Sequence, residues 1–365
     1  MDSHVIMHMD LDYFYAQCEE RENPSLKGKA VVVCVYSGRS AHSGAVGTAN
    51  YIARGYGVKA GMPISLAENI LQNVDAAFIP VNYKLYEQFS ENVMALLRNY
   101  GESFEQASID EAYLDVTGKV NGNFEVARKL ASHIKEEIKI KEGLTCSIGV
   151  GPNKLIAKMS SDFKKPDGLT VIEPNEVRNF LFPLPVGKLY GVGKKTEEKM
   201  ATLGIKTIKD LAHFNPDRLA ELFRGKLGLY FHRASNGLDD EPVQERGEAE
   251  QISRMTTLKE NTRELPQILP ELKRLAHDVY IKVTEQELDF TSVSIIAIME
   301  DMSTHSKTKS LEAATPEKGV IYTVAEKLFQ ALLKERSELN VRRIGVRVAG
   351  LTKRKGQKPL HNFLS

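Results

Sequence analysis

Val31-Val32-Val33-Cys34-Val35 is an unbroken β-branched and apolar run, which reads as a strand buried on both faces. A sheet covered on both sides needs helices packed over it, and the sequence supplies them. From Tyr83 to Arg98, apolar residues fall at Leu85, Phe89, Val93, Leu96 and Leu97, the spacing of one helix face. Phe124 to Lys141 reads as a second helix, followed by a strand from Leu144 to Val150. Val5 to Met9 reads as a further strand. Phe104–Ser108 and Ala112–Val116 read as a hairpin with a tight link at Ile109-Asp110. Ser37 to Thr48, rich in Gly, Ser and Ala, is expected to be a loop or a surface of small residues, and Ala49 to Arg54 a helix. The fold class is α+β.

With 365 residues the chain exceeds what one core serves, so two to four domains are expected. From Asn175 to Leu238 the pattern becomes short helices with Gly and Pro breaks, predicting a small all-helical domain. A polar stretch with few apolar anchors, residues 239–250, is the expected linker. Beyond it, strands at Asp289–Met299 and Arg342–Ala349 and helices at Leu269–Val283 and Val320–Leu333 predict a second α+β domain.

No stretch of 18 apolar residues occurs, so no membrane span is expected. Asp2, Asp10 and Asp12 stand where a signal peptide would be basic and then apolar, and a cytoplasmic location follows. Three cysteines, Cys18, Cys34 and Cys146, lack the close pairing of a zinc site and read as buried thiols. Residues 1–120 hold 9 basic against 15 acidic residues, whereas residues 246–365 hold 20 against 16. An acidic start suits a cation site and a basic end suits a polyanion, although so small an excess is more often just solvated surface.

The acidic residues sit at strand ends. Asp10-Leu11-Asp12 follows the first strand, and Ser108-Ile109-Asp110-Glu111 links the hairpin. Mg²⁺ takes one or two carboxylates plus substrate phosphates, and two such strand ends meeting in one sheet could hold a pair of ions roughly 4 Å apart. The alternative is that these residues cap a helix and fill a turn.

Four segments together resemble the signature stretches of the Y-family translesion DNA polymerases, in the DinB-like branch. They are Asp10-Leu11-Asp12-Tyr13-Phe14-Tyr15-Ala16-Gln17, the run Gly44 to Arg54, Ser108 to Asp115, and Gly149-Val150-Gly151-Pro152-Asn153-Lys154. The resemblance extends from about Val5 to Leu351 and is strongest over the first 170 residues. It implies a right hand: a palm from residues 1–13 and 80–170, fingers at 14–79, a helical thumb at 171–238, and an extra α+β little finger at 251–352. It also implies a monomeric enzyme that copies primer-template DNA from dNTPs with low fidelity.

By the same resemblance Asp10, Asp110, Glu111 and the main-chain carbonyl of Leu11 bind two Mg²⁺ ions, for which Mn²⁺ substitutes, and Asp12 only supports them. Tyr51 and Arg54, three apart on a helix and so on one face, would contact the triphosphate with Thr48 and Lys165. Taken alone, Arg54 could equally be a surface ion pair and Tyr51 a core ring. Gly44, Ala45, Gly47 and Gly61 would leave room over the nascent base pair. Tyr15 would be the steric gate against ribonucleotides. Leu189 to Lys195 resembles a helix-hairpin-helix, in which Gly191, Gly193, Lys194 and Lys195 meet a DNA phosphate, and Arg342 and Arg343 are assigned to DNA in the little finger.

The tail after Lys353-Arg354-Lys355 carries Gln357, Leu360, Phe363 and Leu364 at the spacing of a peptide for a PCNA-type sliding clamp, which points to an archaeal source. Its last position is Leu364, where the motif often has an aromatic residue. The alternative is a tail that docks on its own domain. Two rival functions remain: another palm-domain catalyst such as a nucleotide cyclase, and a non-catalytic DNA-binding scaffold.

Overall fold

The computed structural model describes residues 4–245, 247, 249–335 and 338–354. The chain divides into two compact units. One comprises Met1–Val35, Val46–Met62 and Leu66–Arg246; the other comprises Tyr36–Ala45, Pro63–Ser65 and the chain from Gly247 onward.

The chain opens with β1 (Ile6–Leu11), α1 (Phe14–Glu22), β2 (Ala30–Tyr36), β3 (Gly44–Ala49), α2 (Tyr51–Gly55), α3 (Ile64–Ile70), β4 (Ala76–Pro80) and α4 (Tyr83–Leu97). There follow β5 (Ser103–Gln106), β6 (Glu111–Asp115), α5 (Phe124–Glu142), β7 (Cys146–Gly151), α6 (Lys154–Ser161) and β8 (Leu169–Val171). The principal sheet has the order β5-β6-β1-β7-β8, with β1 in its middle and antiparallel to both neighbours. A smaller sheet has the order β3-β2-β4.

Side chains alternate across a strand, and β1 uses both faces. Val5, Met7, Met9 and Leu11 enter one core with Phe14, Tyr86, Phe89, Val93, Ile134 and Ile138, drawn from α1, α4 and α5. Ile6 packs in another cluster with Tyr113 and with Ala157 of α6. Asparagine caps start α4, α5 and α6: Asn82 accepts from Leu85 N, Asn123 from Val126 N and Asn153 from Ile156 N. Helix α6 sits very close to β7, because a Cβ on Gly149 would lie 2.0 Å from the Ala157 carbonyl oxygen.

The buried run behaves as expected over Val31 to Cys34, but Val35 is 38% exposed at the end of β2. All three cysteines are buried and none is in a disulfide. The segment expected as a loop contains β3, since its small residues still have main-chain groups to pair with the open edge of β2. The expected helix starts at Tyr51, two residues late, because Asn50 is its cap and also accepts from Val31 N at 3.1 Å. The hairpin link is residues 107–110, longer than the two predicted; Ala107 N and Ser108 N both donate to Glu111 O.

The all-helical stretch is α7 (Val177–Leu181), α8 (Lys194–Thr202), α9 (Ile208–His213), α10 (Pro216–Leu222) and α11 (Lys226–Ser235), around Leu181, Met200, Leu211 and Phe231. Among its described residues the expected linker holds no helix or strand, yet it does have an apolar anchor. Val243 is buried with Ile6 and Tyr113, and Asp239 accepts from Leu155 N at 3.0 Å.

The second unit contains β9 (Gln251–Thr262), α12 (Leu265–Glu285), β10 (Leu288–Met299), β11 (Thr304–Thr315), α13 (Lys318–Glu335), β12 (Val341–Ala349) and β13 (Thr352–Lys353). Four strands run β11-β10-β12-β9. Its core joins Val293, Ile295, Ile344 and Val346 to Leu272, Val279 and Phe329 of the two helices.

Candidate active site

The sheet register brings the separated carboxylates together. Asp10 of β1 is the direct partner of Glu111 on β6 and of Ser147 on β7. The next residue, Leu11, donates its N–H to the Asp110 carbonyl at 3.0 Å. Asp10, Asp110 and Glu111 therefore lie on neighbouring backbone at one end of the sheet, although about 100 residues of sequence separate Asp10 from the others. Ser108 Oγ donates to Asp110 Oδ1 at 2.6 Å.

Two lysines face these acids. Lys165 Nζ is 2.6 Å from Asp10 Oδ1 and 2.8 Å from Asp162 Oδ1. Lys158 Nζ donates to Glu111 Oε2 at 2.8 Å. The buried His8 presents Nε2 to the same oxygen at 3.6 Å, beyond hydrogen-bond reach, while its Nδ1 pairs with Ser161 Oγ at 2.8 Å. Burial pushes the Asp10 carboxyl up to about 7 against the opposing charge of Lys165, and Glu111 adds to the rise. Burial acts on Glu111 in the same direction but is outweighed by His8 and Lys158, so its carboxyl lies well below the usual range. One carboxyl is thus protonated more readily than its neighbour, the kind of divergence that clusters at functional sites.

Asp12 has a different environment. It is fully buried; its Oδ1 accepts from Ser147 Oγ at 2.8 Å, and its Oδ2 accepts from Thr145 Oγ1 at 3.0 Å and Asp167 N at 2.8 Å. Three donors fix this carboxylate between β7 and the turn that follows Lys165.

Tyr15, on the first turn of α1, stacks on Tyr86 and meets the edge of Tyr83. Burial and the charge of Asp110 raise its hydroxyl pKa, which keeps it protonated. Tyr51 and Arg54 share a face of α2 as their spacing requires: the guanidinium lies 5.0 Å from the ring centroid. Arg54 Nε donates to the Ala49 carbonyl at 2.8 Å, and a guanidinium N–H reaches Thr48 Oγ1 at 3.5 Å. The Tyr51 hydroxyl pKa is raised by burial first and by Asp12 next, with Arg54 and Lys165 opposing. Gly47 could accept a methyl group, whose nearest neighbour would be Val33 O at 3.4 Å, whereas Gly61 has φ +81.

Among the expected DNA contacts, Gly191 has φ +89, and a Cβ there would come within 3.1 Å of the Tyr230 ring. Gly193 caps α8, which begins with the exposed Lys194 and Lys195. In the second unit Arg342 and Arg343 are adjacent on β12, and Arg343 Nε is buried with no hydrogen-bond partner among the described residues. Gln357, Leu360, Phe363 and Leu364 lie outside the described residues.

Lys158 escaped the sequence reading. Lys154 and Lys158 are four apart, hence on one face of α6, and that face would have been the signal. Lys154 forms a buried pair with Glu105 at 2.7 Å.

Comparison with known proteins decides the family. The impB/mucB/samB family model matches residues 9–162, its C-terminal domain matches residues 249–361, and the helix-hairpin-helix motif of the same family matches residues 174–205. The chain belongs to the impB/mucB/samB family, whose members are Y-family DNA-directed DNA polymerases. The DNA polymerase IV of Methanosarcina acetivorans is 46% identical over 369 residues, covering 100% of both chains. That of Saccharolobus solfataricus is 43% identical over 94% of this chain and 95% of its own. Both sources are archaeal. Among solved structures, a Y-family chimera of Dbh and Dpo4 matches with a TM-score of 0.90 at 42% identity, covering 96% of this chain and 99% of the other. An insertion ternary complex of Dbh DNA polymerase matches with a TM-score of 0.69, also at 42% identity and the same coverage. The α+β, right-hand class expected from sequence is the class of these neighbours.

Members of this family need divalent metal ions. The described residues hold no preassembled cluster of three or more His, Cys, Asp or Glu side chains. The candidate donors, set on adjacent backbone, are carboxylate and carbonyl oxygens, the hard set that Mg²⁺ takes when phosphates complete its shell. The residues fit that ion.

Proposed function

We propose that this chain extends a primer 3′ end from dNTPs by low-fidelity, template-directed synthesis and serves damage tolerance by copying past altered bases. The observation that supports this best is the register that sets Asp10 opposite Glu111 with the Asp110 carbonyl bonded to Leu11 N. Asp10, Asp110, Glu111 and the Leu11 carbonyl would hold two Mg²⁺ ions, with Mn²⁺ able to replace them. Bound there, the ions supply charge stabilisation to the attacking and leaving oxygens.

The protein's own groups complete the work. Lys165 is the nearest cation to Asp10, and with Thr48, Tyr51 and Arg54 it would bind the triphosphate and stabilise the departing pyrophosphate. Tyr15 would set the sugar. Gly44, Ala45, Gly47 and Gly61 would leave the base pair loosely held, so that little discrimination arises from shape. Amides and lysines of the Gly191–Lys195 hairpin would take a phosphate of the duplex, with Arg342 and Arg343 contributing from the second unit. The right-hand division into palm, fingers, thumb and little finger, a monomeric state, a cytoplasmic location and clamp docking through Gln357, Leu360, Phe363 and Leu364 belong to the same reading. No described helix is long and apolar enough to cross a membrane.

Primer extension on a synthetic template with Mg²⁺ and dNTPs tests the proposal. Templated lengthening is the expected result. Product from a nucleoside triphosphate without any primer would favour a cyclase, and DNA binding without product would favour a scaffold.

A further inference from the structure

We propose that Lys135 is a positioning residue for Lys165, acting through the turn that carries it. This rests on the reading of Lys165 as a triphosphate contact. Lys135 lies on α5, its side chain is 15% exposed, and its ammonium has three acceptors. They are the Cys146 carbonyl at 2.7 Å, Asp167 Oδ1 at 2.6 Å and the Gly168 carbonyl at 3.2 Å. An ammonium has three N–H donors, so this one is fully used.

Each acceptor ties the lysine to the site. Cys146 begins β7 and is the register partner of Leu11. Asp167 and Gly168 come two and three residues after Lys165. The same turn is held by the metal-side strands, for Asp167 N donates to Asp12 and Gly168 N donates to Ser147 Oγ at 3.1 Å. Asp167 sits at φ +51, and a Cβ on Gly168 would fall 2.4 Å from the Lys164 carbonyl. Lys135 therefore joins helix, strand and turn at one point.

A lysine side chain has four rotatable bonds, so the place its ammonium can reach depends on how firmly its backbone is anchored. Without Lys135, Asp167 and two carbonyls would be left to water, and the Lys165 main chain would sample more positions. Triphosphate binding would weaken in ground state and transition state alike. That pattern raises KM and spares kcat. A role limited to folding would not produce it.

The test is single-nucleotide insertion at saturating primer-template with Lys135→Met, Lys135→Arg, Lys165→Ala and the Lys135→Met/Lys165→Ala double variant. Lys135→Met should raise the dNTP KM about tenfold, the scale of one charge-assisted hydrogen bond, with kcat within about threefold of wild type. Lys135→Arg should recover most of that affinity. In the double variant Lys135→Met should add little to Lys165→Ala, because both changes remove one contact. A fall in kcat at unchanged KM, or fully additive losses, would overturn the proposal. If Lys165→Ala leaves KM untouched, the reading of Lys165 fails and the route through it fails too; if only Lys135→Met leaves KM untouched, the positioning role alone fails. Should Lys135→Met not fold, Asp167→Asn at the half-exposed end of the pair takes its place: a smaller rise in KM supports the proposal and none overturns it.

Discussion

The ring of Tyr15 lies flat on that of Tyr86, with centroids 4.3 Å apart and planes 13° apart, while the Tyr86 hydroxyl donates to Glu19. Tyr86 is fully buried, so the upper ring rests on a platform that cannot yield. A rigid ring excludes a 2′-hydroxyl by collision, whereas one missing hydrogen bond would discriminate little. Tyr15→Ala should raise the ratio of ribonucleotide to deoxynucleotide kcat/KM at least roughly 10²-fold, about 2.7 kcal/mol of lost discrimination. Insertion kinetics with both sugars on one template measure it; parallel losses at an unchanged ratio would leave Tyr15 a core aromatic only.

Asp110→Ala should abolish extension and leave primer-template affinity nearly unchanged. The carboxylate would act on the reacting phosphates, while the duplex is gripped elsewhere through its backbone. Turnover above roughly one hundredth of wild type, at unchanged DNA affinity, would remove Asp110 from the ligand set.

Gly149→Ala should be costly for a residue that touches no substrate. The added methyl would meet Ala157 O at 2.0 Å, Ser160 Oγ at 2.3 Å and Ser161 N at 2.3 Å, two of them backbone atoms of the α6 region. Relief requires α6 to move away from β7, at about 3 kcal/mol. Because α6 carries Lys158, the displacement should also disturb Glu111. Thermal melting and extension activity should fall together, and a wild-type melting temperature would contradict the packing described.

Removing Gln357 to Ser365 should leave distributive synthesis on short templates intact and eliminate stimulation by a PCNA-type clamp. Tethering raises local concentration without altering the chemistry. Stimulation that survives the truncation would assign clamp binding to another surface.

Much of the architecture was legible in the sequence because buried elements advertise their period. Helices α4 and α5 and strands β1 and β7 begin and end within about two residues of where apolar spacing put them. The edge strands of the second unit give no such sign. No residue of β11 is buried, and Lys307 and Lys309 sit in it; β9, at the other edge, buries only Ile252, Leu258 and Thr262. Strand β3 was hidden for another reason, since its glycines and alanines have little strand propensity and pairing with β2 overrides it. The strand-end acids were visible as a motif, and Lys165 came with the resemblance. Lys158 and Lys135 did not: Lys158 meets Glu111 and Lys135 meets the Cys146 carbonyl through helix-to-strand packing, for which the only local sign was the shared face of Lys154 and Lys158 on α6.

Strand β1 is bonded along both edges, to β6 and to β7, from Ile6 to Asp10. The spacing of the acidic residues is therefore written in main-chain hydrogen bonds, which nearly every side-chain replacement leaves in place. The proposed substrate contacts at Gly47, Thr48 and Tyr51 are held differently, because they stand on α2 and on β3 at the edge of a small sheet. If those positions change, the proposed surfaces around the base pair change while the frame that spaces the acids does not. A lineage built on this plan can retune which templates it tolerates without having to reinvent how it joins them.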